Sequence, residues 1–243
     1  MTAILFGIIA GIATLLGMWI VLAREQWARR NSVYLIAFSI GVLLAASFTE
    51  IIPESLELHP HALLIVLGTF FVFYVLEHSV IAHHHLVSDE GRGTRDEGHV
   101  PIEKMAFVGL AVHSLVDGLA IGAGFEVSPA LGILTTLAVI LHEVPEGITT
   151  LSLFLHANYP RRRAILFTSI VALATPIGAI ATTFIPALRG TAMLGALLAV
   201  AGGSFLYVAA ADLIPETHRA KHIPAILLML LGIMVPIIVE RML

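Results

Sequence analysis

Cysteine is absent from the 243-residue chain, which excludes disulfides, thiolate metal sites and cysteine nucleophiles. Charge is scarce: Asp, Glu, Lys and Arg make up 12% of residues, against about 25% in soluble domains. Aromatic residues are few as well, at 7%. What fills the space is apolar, with 58% hydrophobic residues and a mean hydropathy of +0.96. Length alone would allow one or two soluble domains, but this balance excludes them and specifies an integral membrane protein. The net charge of −4 decides little, because the placement of the charges matters more than their sum. The first segment, "MTAILFGIIAGIATLLGMWIVLA", lacks a basic stretch and stays apolar for about twenty residues, so it reads as a spanning helix rather than a cleaved signal peptide.

Apolar runs predict eight spans near 3–23, 32–54, 61–82, 104–126, 130–156, 163–186, 190–212 and 223–242. Helices are required, since lipid offers unpaired backbone groups no partner, and the runs are too long and too unalternating for barrel strands. The basic residues fall on one side. Arg24, Arg29 and Arg30 follow span 1, and Arg92, Arg95 and Lys104 lie between spans 3 and 4. Arg161, Arg162 and Arg163 follow span 5, and Arg219 and Lys221 follow span 7; only Arg189 and Arg241 lie opposite. The positive-inside rule makes the basic loops cytoplasmic and turns both termini outward. The one long loop, 83–103, is polar and opens with His83, His84 and His85, a candidate metal tether since imidazole is a good ligand for zinc and its neighbours.

Two internal repeats organise the chain. "SFTEIIPES" at 47–55 matches "AAADLIPET" at 209–217, and under this orientation the two copies run in opposite directions across the membrane. Spans 1–3 and 6–8 are therefore expected to form an inverted repeat around a central pair, a 3+2+3 arrangement in a single transmembrane transporter domain over 1–243. The central pair repeats too, with "HSLVDG" in span 4 and "HEVPEG" in span 5.

Positions i and i+4 share a helix face, so His113 projects with Asp117 and His142 with Glu146. At a rise of ~1.5 Å per residue both pairs lie ~14–21 Å into their spans, and antiparallel packing lets all four side chains converge near the midplane. Each ionised carboxylate there costs roughly 2.5–3.5 kcal/mol on the insertion scale. No Lys or Arg occupies the middle of any span, which leaves a proton or a cation to offset that cost. Two imidazoles and two carboxylates suit zinc, iron, manganese or cobalt, and suit calcium or magnesium poorly. Pro145 removes an amide donor, frees the carbonyl of Leu141 and is expected to kink span 5 beside these residues. Gly118 and Gly147 allow close helix approach.

These stretches resemble the signature of the ZIP (Zrt/Irt-like) family of divalent metal transporters, "HSLVDGLAIGAGF" its fourth-span motif and "HEVPEG" its fifth. Eight spans, outward termini, a histidine-containing loop between spans 3 and 4 and the 3+2+3 plan extend the likeness over the whole chain. The resemblance implies import of zinc, or of iron, manganese, cobalt or cadmium, toward the cytoplasm. It makes His113, Asp117, His142 and Glu146 the primary ligands, and gives Ser114 and Glu143 the positions of a second, adjacent site. Many bacterial relatives have Asn, Pro and Glu where this chain has Ser114, Val116 and Asp117. In span 6, "ATPIGA" puts Thr175 where two-metal relatives carry Glu. One well-formed metal site is therefore expected, with the second weak or absent.

Further along the route, Glu50, its repeat mate Asp212 and His156 are candidate pathway residues. The chain is expected to be a multi-pass plasma (inner) membrane protein rather than an enzyme, with metal as cargo, no resident cofactor and no nucleic acid partner; a homodimer is left open. An intramembrane zinc hydrolase is the alternative, since "HEVPE" approaches H-E-x-x-H with Glu143 as base. Against it, the second histidine is missing. A proton-coupled carrier of an organic solute would use the same groups as a relay, but has no buried cation to hold an anionic substrate.

Overall fold

The computed structural model describes residues 1–87, 102–218 and 222–242; side chains at 29, 77–87, 102–106, 212 and 222 lie outside the description too. All regular structure in the described residues is helical. The helices are α1 (Thr2–Ala28), α2 (Arg30–Leu58) and α7 (Thr191–Thr217); α3 (Ala62–Val87), α4 (Ile102–Val127) and α5 (Pro129–His156); and α6 (Arg161–Phe184) and α8 (His222–Glu240). Among the described residues seven are long and apolar enough to cross a membrane, and Ala62–Leu76 of α3 is a shorter apolar eighth. The fold is that of an all-α membrane protein.

Two boundaries differ from expectation. The connection between spans 1 and 2 is a kink rather than a loop: the run Thr2–Ala46 is helical except at Arg24, with φ −145° and ψ 59°. The segment "EQWARRN" holds no glycine or proline to end a helix, so the break needs only one residue. The histidine-rich stretch expected to open a loop at 83 instead continues α3 to Val87, because the first glycine comes only at 91. Residues 88–101, and the side chains of His83, His84 and His85, lie outside the described residues.

The repeated acid–Pro-Glu segments share a backbone feature that their composition does not reveal. α2 widens into a π-helical turn over Ser47–Ile51, and α7 does so over Val208–Leu213. Each ends two residues before a proline, Pro53 or Pro215. A proline cannot donate to the carbonyl four residues back, and the ladder ahead of it shifts register. The two copies thus share a backbone irregularity as well as a sequence pattern.

Lipid gives apolar helices no hydrophobic drive to associate, so close backbone packing does the work. A Cβ added to Gly118 would stand 1.9 Å from the carbonyl oxygen of Thr175, and one on Gly147 2.0 Å from that of Thr14. Gly178 meets Leu115 and Gly17 meets Val144 in the same way. These contacts weld α4 to α6 and α5 to α1. Elsewhere Gly41 lies on Met229 and Gly232 on Phe38, joining α2 to α8, while Gly203 lies on Val66 and joins α7 to α3. Among the described residues no such glycine contact links the set α1, α4, α5, α6 to the set α2, α3, α7, α8. By this measure of backbone contact the helices fall into two blocks.

Candidate metal centre

The four polar side chains of the central pair meet between α4 and α5, on the side where these helices face α7. One ligand-capable atom from each of His113, Asp117, His142 and Glu146 lies within 4.8 Å of the others, and all four residues are buried. The two i,i+4 spacings bring them together: α4 and α5 each carry an imidazole and a carboxylate on the face turned to the other helix. α5 is continuous from Pro129 to His156, through Pro145. The carbonyl of Leu141, left without its amide partner by that proline, accepts a hydrogen bond of 2.8 Å from the Ser39 hydroxyl of α2.

The hydrogen bonding fixes which atoms face inward. His142 Nδ1 is 2.9 Å from the carbonyl of Ala138, a group that only accepts, so Nδ1 carries the hydrogen. Neutral His142 therefore points a bare Nε2 at Asp117 Oδ2, 3.1 Å away. Two lone pairs at that distance repel unless a proton or a metal ion stands between them. His113 Nε2 lies 3.5 Å from the same oxygen, and its Nδ1 is 2.8 Å from Ser204 Oγ of α7. His113 Nε2, Asp117 Oδ1 and Glu146 Oε2 are buried and without any hydrogen-bond partner. Buried polar atoms are nearly always paired, and here three unpaired ones belong to residues of one four-residue group that could hold a metal ion. Phe205 packs its ring against both imidazoles, at 6.4 Å from His113 and 5.5 Å from His142 between centroids, and Phe73 adds an edge contact to His113. Two imidazoles and two carboxylates, all buried and within 4.8 Å of one another, match the donor set and four-coordination of zinc.

The neighbouring polar residues are arranged differently. Glu143 is fully buried, but one carboxylate oxygen accepts from the Thr175 hydroxyl at 2.7 Å and the other from the Thr14 hydroxyl. Ser114 donates to Glu146 Oε1 at 2.8 Å, and also to its own helix. Glu143 thus bridges α5 to α1 and α6 with both oxygens engaged, while Glu146 keeps one oxygen free for a metal. Glu50 sits in the π-helical turn of α2 with Oε1 unpartnered, apart from the four-residue group. His156 is exposed at the last turn of α5, and the side chain of Asp212 is outside the described residues. Thr49 and Thr149 each donate to a carbonyl of their own helix.

Ser204, Ser39, Thr14 and Phe205 support this centre and escape a reading of the sequence. Lone hydroxyls and aromatics in membrane helices carry no spacing that distinguishes them from packing. Only the "HEVPE" proline hinted at one of them, by leaving a carbonyl that some donor had to meet.

The family model for the ZIP zinc transporter matches residues 82–240. Zinc transporter zipt-7.1 of Caenorhabditis briggsae is 29% identical over 238 residues, 75% of this chain and 61% of that protein. Zinc transporter ZIP4 of Mus musculus is 36% identical over 56% of this chain and 20% of its own length. Zinc transporter ZIP10 of Homo sapiens is 33% identical over 52% and 15%. The chain therefore spans less than two thirds of the length of these relatives. The family is one of transporters, which sets the hydrolase reading aside. With the match covering well over half of its residues, the chain belongs to the ZIP zinc transporter family.

Proposed function

We propose that this protein moves divalent transition-metal cations, zinc foremost, across the membrane toward the cytoplasm, holding each ion at His113, Asp117, His142 and Glu146. The observation that carries this reading is the facing of the bare His142 Nε2 on Asp117 Oδ2 within a buried group of four potential ligands. That pair repels unless a proton or a metal ion stands between the two atoms, so the site can exchange a proton for a cation. The relatives' names as zinc transporters support the choice of metal, the resemblance to the family supports the direction, and the distribution of Lys and Arg supports the outward termini.

Transport proceeds by alternating access around this site. The glycine contacts argue against the central pair moving alone, since α4 cannot leave α6, nor α5 leave α1, without separating interlocked backbones. The moving body is the four-helix block α1, α4, α5, α6, sliding against α2, α3, α7, α8. A single metal is carried per cycle, because the threonine hydroxyls already occupy Glu143. Purified protein in proteoliposomes tests the reading: zinc uptake is expected for the wild type and lost in His142→Ala. Uptake undiminished in that variant would remove the site from the mechanism.

A further inference from the structure

The supports of the four candidate ligands do not all come from the same body. His142 is held by the Ala138 carbonyl of its own helix. Glu146 is held by Ser114 of α4, and Asp117 faces His142 of α5. These supports travel with the α1, α4, α5, α6 block. His113 differs: its Nδ1 reaches Ser204 of α7, in the other block, at 2.8 Å. Ser204 is fully buried and stands next to Gly203, whose close packing on Val66 fixes that part of α7 to α3.

We infer that Ser204 is a positioning residue for metal capture. It accepts the Nδ1 hydrogen of His113 and so holds Nε2 bare and aimed at the ion, and it does so only while the two blocks keep this register. An imidazole with a fixed outer partner binds metal more tightly than one free to rotate or to change tautomer. A slide of one block by more than an ångström or so breaks a 2.8 Å bond, and His113 then loses its orientation while the other three ligands keep theirs. The site is thereby tight in one state and looser in the other, which lets a high-affinity cation leave. The inference rests on the zinc-site reading proposed above.

The test compares wild type, Ser204→Ala, His113→Ala and the double variant in full-length protein, using zinc binding by calorimetry and zinc flux in proteoliposomes. Ser204→Ala is expected to weaken zinc binding by about 10- to 100-fold, the usual loss for an outer partner of a metal-bound histidine. In the His113→Ala background the same change is expected to alter affinity by less than about twofold, since the two residues act as one unit. Flux by Ser204→Ala is expected to show a raised KM with Vmax undiminished, because a bond broken in every cycle has been removed. Ser204→Thr, which keeps the hydroxyl, is expected to retain near-wild-type affinity. Wild-type affinity in Ser204→Ala, a full additional loss on top of His113→Ala, or a fall in Vmax would each overturn the inference. Undiminished zinc flux in His142→Ala would instead refute the underlying reading, so the two failures are distinct.

Discussion

At the scale of single residues, Asp117 holds the strongest constraint. Its Oδ2 faces the nitrogens of both histidines, and its Oδ1 is buried without a hydrogen-bond partner. An asparagine there would present an amide N–H to a bare Nε2, filling with a fixed donor the space a cation would take. Asp117→Asn is therefore expected to lose zinc binding by more than about 100-fold, at least the usual effect of losing a support one shell further out. Its zinc-free form is expected to melt no lower than zinc-free wild type, as measured by thermal unfolding in detergent. Thr175 offers the converse test. A glutamate there would set a second carboxylate beside Glu143 in a buried space, and only a cation relieves two such charges. Thr175→Glu is expected to melt lower without zinc, to recover on adding zinc, and to bind two ions where wild type binds one, with stoichiometry read by metal analysis.

Much of this residue-level picture was legible in advance. The i,i+4 pairs His113–Asp117 and His142–Glu146 are helix geometry written directly in sequence, and convergence follows once two such helices pack. Ser204, Ser39 and Thr14 were not legible, because each reaches its partner from a distant helix and no local pattern records that. The closing of Glu143 was half visible: Thr175 stood where a carboxylate would complete a second site, while Thr14 had no signal.

At the scale of helices, glycine decides which elements move together. Gly147 and Thr14 bring α5 and α1 into backbone contact, so Gly147→Ala must force them apart. Overpacking of this kind costs about 1–3 kcal/mol or more, and a clear fall in melting temperature is expected. Gly109, also helical, has open space where its Cβ would go, so Gly109→Ala is expected to be neutral or stabilising by roughly 0.5–1 kcal/mol. Equal effects at the two positions would show that the interlocking does not carry the packing. Helix positions were readable because hydropathy follows from lipid thickness. The kink at Arg24 and the π-helical turns were not, since each is a one-residue adjustment of hydrogen-bond register inside an unbroken apolar run.

At the scale of the whole molecule, the 3+2+3 repeat plan and the glycine contacts divide the helices differently. Repeat symmetry describes how the chain is built; close contact describes what can move as a body. The absence of cysteine makes this division open to direct test. Engineered cysteine pairs near Gly11 and Ala172, within one block, are expected to leave zinc flux unchanged when oxidised. Pairs near Ser39 and Leu141, across the boundary, are expected to stop flux until reduced.

The central claim is that one cation sits among two imidazoles and two carboxylates, and zinc-edge X-ray absorption with anomalous diffraction on zinc-loaded protein tests it most directly. A single zinc is expected between α4 and α5, with nitrogen and oxygen ligands at about 2.0–2.2 Å from His113, Asp117, His142 and Glu146. Two zinc ions at comparable occupancy, or one held elsewhere with these four side chains unliganded, would contradict it.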